Sequence, residues 1–295
     1  MSVHFQDWVK QTQSNVETAL STFLPTSSAV PAQLHEAMRY ATMDGGKRIR
    51  PLLVFAAGRL FNAPQELLGR AACALEMIHA YSLVHDDMPC MDNDVLRRGK
   101  PTVHVRYGEA TALLVGDALQ AQAFLVLSQS ASETGCVIAL LRMLAMASGS
   151  IGMCGGQAID LASVNQSLNL AQLEQMHQMK TGALLRASVL MGATSGRSLS
   201  QEEELALNTY SNAVGLAFQV VDDILDATAD SAVLGKTAGK DAADNKPTYV
   251  SLIGLEASKE LATKLSHDAH QALTPFGDAA EYLHAMADLI VQRNA

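Results

Sequence analysis

No stretch of this chain alternates apolar and polar residues with a period of two over a strand's length, while apolar residues recur at helical spacing almost throughout. That pattern leaves little room for a sheet-based core and predicts an all-α bundle. Ala, Leu and Met are abundant and aromatics make up only 5%, a mix that favours helix over strand. The spacing predicts helices over 3–23 (closed by Pro25), from Ser27 or Ser28 as cap to about Ala41 with Pro31 in the first turn, and over KRIRPLLVFAAGRLF after Gly45-Gly46. Segment 64–90 is apolar around most of its circumference and should be the central helix. Further helices are expected over 109–130, 136–160, 170–195, 201–228 and 247–293, with breaks at Gly99-Lys100-Pro101, Gly135, Ser163–Ser167, Gly196, Asp230–Lys246 and Pro275. No linker or composition shift divides the 295 residues, so a single domain over 1–295 is expected.

The formal net charge is −9, which argues against nucleic acid as a general partner. Cys73, Cys90, Cys136 and Cys154 include no C-x-x-C pair, and they read as core or near-core residues rather than a zinc site or disulfide framework. The N-terminal stretch is charged and amphipathic, without the apolar region of a leader. No apolar run is expected to reach the roughly 18–20 residues that cross a bilayer. The expectation is a cytoplasmic protein that does not span a membrane.

The chemistry gathers in two aspartate clusters. The first is Asp86-Asp87 with Asp92, and the second is Asp222-Asp223 with Asp226, each following an apolar helical run. Asp222 and Asp226 are four apart, so they share a helix face, while Asp223 is rotated by roughly 100°. Pro89 interrupts the first helix and lets Asp92 swing back beside Asp86. One such cluster is ordinarily a solvated helix end, but two in one chain call for a cation between carboxylates that would otherwise repel. Mg²⁺ suits them, since it binds through one or two carboxylates plus phosphate oxygens. The cations name the other partner. Lys47, Arg48 and Arg50 follow the diglycine, Arg97 and Arg98 follow the first aspartates, Lys180-Thr181 stand in MKTGALL, and Lys236, Lys240 and Lys246 follow the second aspartates. Arginine forks and lysine point charges bind diphosphates. No Ser-His-Asp or Cys-His set, Walker loop or G-x-G-x-x-G is present.

GGKRIRPLL (45–53), HAYSLVHDDMPCMDNDVLRRGKPTVH (79–104), GDALQAQAF (116–124), MKTGALL (179–185), FQVVDDILD (218–226) and GKTAGKDAADNKPTYVSLIG (235–254) together resemble the trans-isoprenyl diphosphate synthase family. Within it, the chain is most similar to the bacterial-type farnesyl diphosphate synthases. The resemblance implies an isoprenoid-synthase helical bundle around a central cavity, usually a homodimer, with three Mg²⁺ held by Asp86, Asp92, Asp222 and Asp226. It places Arg97, Lys180, Thr181, Gln219, Lys236 and Lys246 on an allylic diphosphate. Gly46, Lys47, Arg50, His79 and Arg98 would hold isopentenyl diphosphate, with Arg293 closing over them. Lys180, Thr181, Gln219 and Lys236 would take part in catalysis, and Lys180-Thr181-Gly182 would kink a helix so that Thr181 faces the allylic cation.

Tyr81 lies five residues before Asp86, roughly 7 Å deeper along a helix. A ring there would floor the cavity after a few isoprene units, which favours a farnesyl product. A geranylgeranyl or geranyl synthase, a terpene cyclase and a non-catalytic partner subunit are the alternatives. The cyclase pattern lacks Lys47 and Arg50, and a non-catalytic subunit would have lost one aspartate set.

Overall fold

The computed structural model describes residues 2–164, 166, 168–228 and 247–292. Among them the architecture is helical throughout, apart from one two-residue hairpin. The helices are α1 (Val3–Phe23), α2 (Ala32–Thr42), α3 (Ile49–Leu60), α4 (Gln65–Asp86), α5 (Val103–Tyr107), α6 (Glu109–Ser128) and α7 (Thr134–Ser148). After these come α8 (Met153–Ala162), α9 (Leu170–His177), a π-helical turn (Gln178–Gly182), α10 (Ala183–Thr194) and α11 (Gln201–Thr228). Past the undescribed 229–246, the chain adds α12 (Tyr249–Ile253), α13 (Leu255–Ala272), a 3₁₀ segment (Thr274–Ala280) and α14 (Glu281–Val291).

Local chemistry accounts for the boundaries. Ser2 accepts the Phe5 N–H at the start of α1, and Leu24, held extended before Pro25, ends it. Asn169 with Gln172, and Thr248 with Ser251, form capping boxes for α9 and α12. Neither Ser27 nor Ser28 caps α2. Pro31 stands at its N-cap, and the Ser28 hydroxyl pairs with that of Thr26. The expected helix over 136–160 is two helices, because Gly149 ends α7 and Gly152 opens α8. The expected final helix breaks at Gly254 and again around Pro275.

Helix α4 is buried around its whole girth, from Leu67 and Leu68 through Leu75, Met77 and Ile78 to Val84. It packs along α6, while α3 packs along α10 and α11 along α13. One apolar core gathers α1, α2, α4, α6 and α7, and a second gathers α3, α10, α11, α13 and α14. The polar side chains on the C-terminal half of α4, Glu76, His79, Ser82, His85 and Asp86, are therefore carried through an apolar interior towards one end of the bundle.

Two expectations change. By length and composition, α4, α6 and the stretch Thr134–Ala162 are long and apolar enough to cross a membrane. In the fold, α4 spends that apolar surface on its neighbours, whereas α6 and α7 leave Leu113, Leu114, Leu125, Ile138 and Met146 exposed. The cysteines do not share one environment either: Cys73 is buried, Cys136 half-buried, and Cys90 and Cys154 exposed.

Candidate active site

A cavity of about 700 Å³ opens between the α2–α3 linker, α4, the hairpin and α11. Gly46, Lys47, Arg50, His79, Arg97, Arg98 and Asp222 all line it. Arg48 and Arg50 leave the same short segment and meet opposite fates. Arg48 caps α3 in the left-handed conformation (φ 52°) and is buried. Its Nη1 donates to Glu76 at 2.6 Å, its Nε to Glu17 at 2.9 Å and its Nη2 to the Thr42 carbonyl at 2.7 Å. Arg48 is thus a structural cation. Arg50 instead reaches the cavity, where its Nε is buried without a hydrogen-bond partner. Burial lowers its pKa, Arg98 lowers it further, and Glu76 and Asp222 only partly oppose this. His79 is held neutral by burial and by Arg50, Arg98, Arg97 and Arg48 around it. A cleft that keeps its imidazole uncharged and its arginine short of partners is built for an anion.

The first aspartate cluster forms where α4 stops. The helix ends at Asp86, three residues before Pro89, whose predecessor disfavours helical geometry. The chain then turns on itself, and the Asp92 N–H donates to the Asp86 carbonyl at 2.8 Å. Asp86 is pushed up to about 6, first by burial and then by Asp92 and Asp87, while Lys180 and Arg97 pull the other way. Asp87 is buried and accepts from Arg97 Nε at 2.8 Å.

Arg97 and Arg98 lie in a hairpin rather than on a helix. Leu96–Arg97 pairs antiparallel with Lys100–Pro101, and Arg98 and Gly99 take positive φ (52° and 73°) in the two-residue turn between them. The turn sends the two guanidiniums apart. Arg97 folds onto Asp87, while Arg98 lies over Gly45 and Gly46, where a Cβ on Gly46 would meet Nη2 at 2.7 Å.

The second aspartate cluster sits inside an unbroken helix. Phe218, Asp222 and Leu225 turn one face of α11 towards the cavity, and Asp226, one turn beyond Asp222, is buried. Asp223 points away. It is buried and accepts from Gln219 Nε2 at 2.9 Å and from the Tyr249 N–H at 2.8 Å.

Lys180 and Thr181 lie in the π turn Gln178–Gly182. Single π turns inside α-helices commonly mark functional positions. Lys180 Nζ donates to Asp160 at 2.6 Å, and the Thr181 hydroxyl to Gln219 Oε1 at 3.4 Å. Lys180, Gln219, Asp160, His177 and Asp223 wall a second cavity of about 80 Å³. Burial pushes His177 down to about 4, and its ring stacks on Tyr249 at 5.6 Å.

These groups lie on segments that match known proteins along the chain. The sequence pattern of the polyprenyl synthetase family fits residues 31–285. The chain belongs to this family. It is 50% identical to the probable farnesyl diphosphate synthase of Bradyrhizobium diazoefficiens, over 98% of this chain and 87% of that one. An FPP/GFPP synthase of Zymomonas mobilis superposes with a TM-score of 0.88 at 42% identity, over 99% of this chain and 100% of that one. A geranyltransferase of Helicobacter pylori, solved in complex with magnesium and isoprenyl diphosphate, superposes with a TM-score of 0.85 at 33% identity, covering 99% of this chain and 97% of that one.

As a polyprenyl synthetase the chain should hold Mg²⁺, and its carboxylates suit that ion. Among the described residues no three His, Cys, Asp or Glu side chains converge into a ready-made cage. Magnesium needs none when phosphate oxygens and water complete its shell. The crowded Asp86–Asp92 pair, with Asp86 raised to about 6, is a hard-oxygen site that a divalent cation would relieve.

Lys236, Lys246 and Arg293 lie outside the described residues. Sequence reasoning missed Glu76 and Asp160, the partners of Arg48 and Lys180. The signal was available, since a carboxylate inside an apolar helical run (AACALEMIHA, GGQAIDLA) is seldom buried without a cation beside it.

Proposed function

We propose that this prenyltransferase condenses isopentenyl diphosphate head-to-tail (1′-4) with dimethylallyl and then geranyl diphosphate to give farnesyl diphosphate, with the whole chain acting as one domain. The observation that carries the reading is the buried, under-partnered Arg50 beside Lys47, Arg98 and the neutral His79, in a cleft faced by Asp222. One anionic substrate fits that cationic pocket, and the other fits between Asp86–Asp92 and Lys180.

Isopentenyl diphosphate is held by Lys47, Arg50, His79 and Arg98, with Gly46 free of a side chain so that its backbone can approach the phosphate. The allylic diphosphate lies against Arg97, Lys180, Thr181 and Gln219, joined in this reading by Lys236 and Lys246. Asp86, Asp92 and Asp222, with Asp226 behind them, would hold magnesium, three ions in the full complex, and the bound metal supplies electrophilic assistance to the leaving diphosphate. Lys180 adds its own charge at the place where negative charge grows as the C–O bond breaks. The Thr181 hydroxyl and the carbonyls loosened by the π turn face the allylic cation. The isopentenyl double bond attacks C1, and the departing diphosphate takes the last proton. The apolar wall of α4 keeps out water, which would otherwise trap the cation as an alcohol. Tyr81, one helical turn and a little more below Asp86, stops the growing chain at fifteen carbons.

Incubation with isopentenyl diphosphate, Mg²⁺ and each allylic starter in turn tests this, with chromatography of the products. A C15 diphosphate is expected. A C20 product would make the chain a geranylgeranyl synthase. A hydrocarbon formed without isopentenyl diphosphate would make it a cyclase, and no turnover would make it a partner subunit.

The active unit in this reading is a homodimer in the cytoplasm. The apolar face left open on α6 and α7 supports the first part, since Leu113, Leu114, Ile138 and Met146 would be costly to leave in water. Four free thiols support a reducing compartment. Light scattering at micromolar concentration would return twice the monomer mass.

A further inference from the structure

Helices α4 and α6 approach closely at the level of His85, one turn from Tyr81. A Cβ on Gly116 would lie 1.9 Å from His85 Nε2, so only the bare backbone of glycine admits the imidazole there. His85 Nε2 then pairs with the Leu113 carbonyl at 3.1 Å. One turn further from the aspartates, the same close seam brings Gln120 of α6 to Tyr81 of α4, where Gln120 Nε2 donates to the Tyr81 hydroxyl at 3.4 Å. From α8, Cys154 Sγ meets that hydroxyl at 3.6 Å. The His85 ring stands edge-on to the Tyr81 ring, centroids 5.8 Å apart. Tyr81 itself is 6% exposed, whereas Gln120 and Cys154 are exposed.

An aromatic side chain that is to stop a growing hydrocarbon must resist being pushed aside. The Tyr81 ring turns on two side-chain torsions, and a swing of the first moves its tip by several ångströms. Apolar packing alone resists that motion weakly, because a prenyl tail can replace the contacts the ring gives up. Polar contacts at the tip resist it differently, since the tail cannot replace them and their loss leaves the hydroxyl in an apolar channel.

We propose that Gln120 and Cys154 are positioning residues for product length, holding the Tyr81 hydroxyl from α6 and α8 so that the ring stays across the path of the chain. The inference rests on Tyr81 being the floor of the elongation cavity, as proposed above. Gln120 and Cys154 line neither the cavity of Arg50 nor that of Lys180. They act on product size through Tyr81 and leave the chemical step alone.

The test is the ratio of C20 to C15 product, with geranyl diphosphate and excess isopentenyl diphosphate, in Tyr81→Phe, Gln120→Leu and Cys154→Ala, with Tyr81→Ala and Cys154→Ser as controls. Loss of one such contact should raise the ratio about three- to tenfold. Gln120→Leu and Cys154→Ala should do so without changing the total rate of isopentenyl diphosphate consumption or the melting temperature. Cys154→Ser should keep the C15 product, because it keeps a polar partner for the hydroxyl. Tyr81→Phe/Cys154→Ala should go no further than Tyr81→Phe, since both act through one hydroxyl. If Tyr81→Ala lengthens the product while Tyr81→Phe, Gln120→Leu and Cys154→Ala all remain at C15, the ring's bulk suffices and the positioning role is wrong. If Tyr81→Ala also remains at C15, Tyr81 is not the floor, and both readings fall together.

Discussion

The two aspartate clusters share a sequence signature and almost nothing of their local structure. The first lies past the end of α4, in a turn closed by the Asp92 N–H on the Asp86 carbonyl. The second lies inside α11, which runs on to Thr228. Yet in each adjacent pair the division of labour is the same. Asp222 lines the charged cleft and Asp86 is left among the charges of Asp92 and Lys180, while Asp87, which also borders the cleft, and Asp223 are 3% and 4% exposed and serve as acceptors for the scaffold. Asp87 anchors the hairpin through Arg97, and Asp223 anchors α12 through the Tyr249 N–H. A doubled aspartate can thus supply one carboxylate for a ligand and one for the frame that carries it, whether the backbone there is helix or turn.

The contrast within each pair can be broken by substitution. Asp86→Asn and Asp222→Asn should each lower turnover by about a thousandfold, the scale seen when a charge-stabilising group is removed, and move the melting temperature little. Equal activity in either variant would remove that residue from the metal site. Asp87→Ala and Asp223→Ala should act the other way round. They leave Arg97, or the Tyr249 N–H and Gln219, without an acceptor, for a loss of about 2 kcal/mol in denaturant unfolding. A variant that keeps its stability but loses its turnover would place Asp87 or Asp223 on the ligand instead.

Smaller effects should come from the π turn. Thr181→Val should reduce kcat about tenfold while leaving substrate affinity within about twofold, as expected of a group used in the transition state. Weaker binding at unchanged kcat would move Thr181 to the ground state. A last effect is one of pH, felt only in acid. His177 sits near 4 in the fold against an ordinary value of 6.5, so the unfolded chain takes up its proton first as pH falls. Its contribution is whole above pH 6.5 and is lost between there and pH 4, about 3 kcal/mol at most. His177→Gln should flatten the decline of stability over that window, and an unchanged slope would assign the acid sensitivity to other groups.

Much of this arrangement is legible from residue spacing. The placement of Asp222 and Asp226 on one side of α11, with Asp223 turned away, follows from helical geometry alone. So does the break that frees Asp92, because Pro89 acts on the backbone just before it. What the spacing does not reveal depends on contacts between distant segments. Arg48 and Arg50 look alike in KRIRP, and only the left-handed cap at Arg48, with Glu17 and Glu76 arriving from α1 and α4, separates them. Arg97 and Arg98 diverge because of a hairpin too short to show any alternation. The α7–α8 break was hidden by the apolar residues around GSIG, whose glycines end one helix and open the next.

The guanidinium of Arg98, lying flat over Gly45 and Gly46, makes two loops into one working part. The diglycine segment carries Lys47 and Arg50, and the hairpin carries Arg97. Anyone redesigning this pocket for a bulkier or differently charged substrate therefore inherits a constraint on library design. A side chain added at Gly46 (φ 86°) would strain the backbone and displace Arg98 together. The two loops should be randomised jointly, as a single module, because a change that suits one in isolation alters the surface on which the other rests.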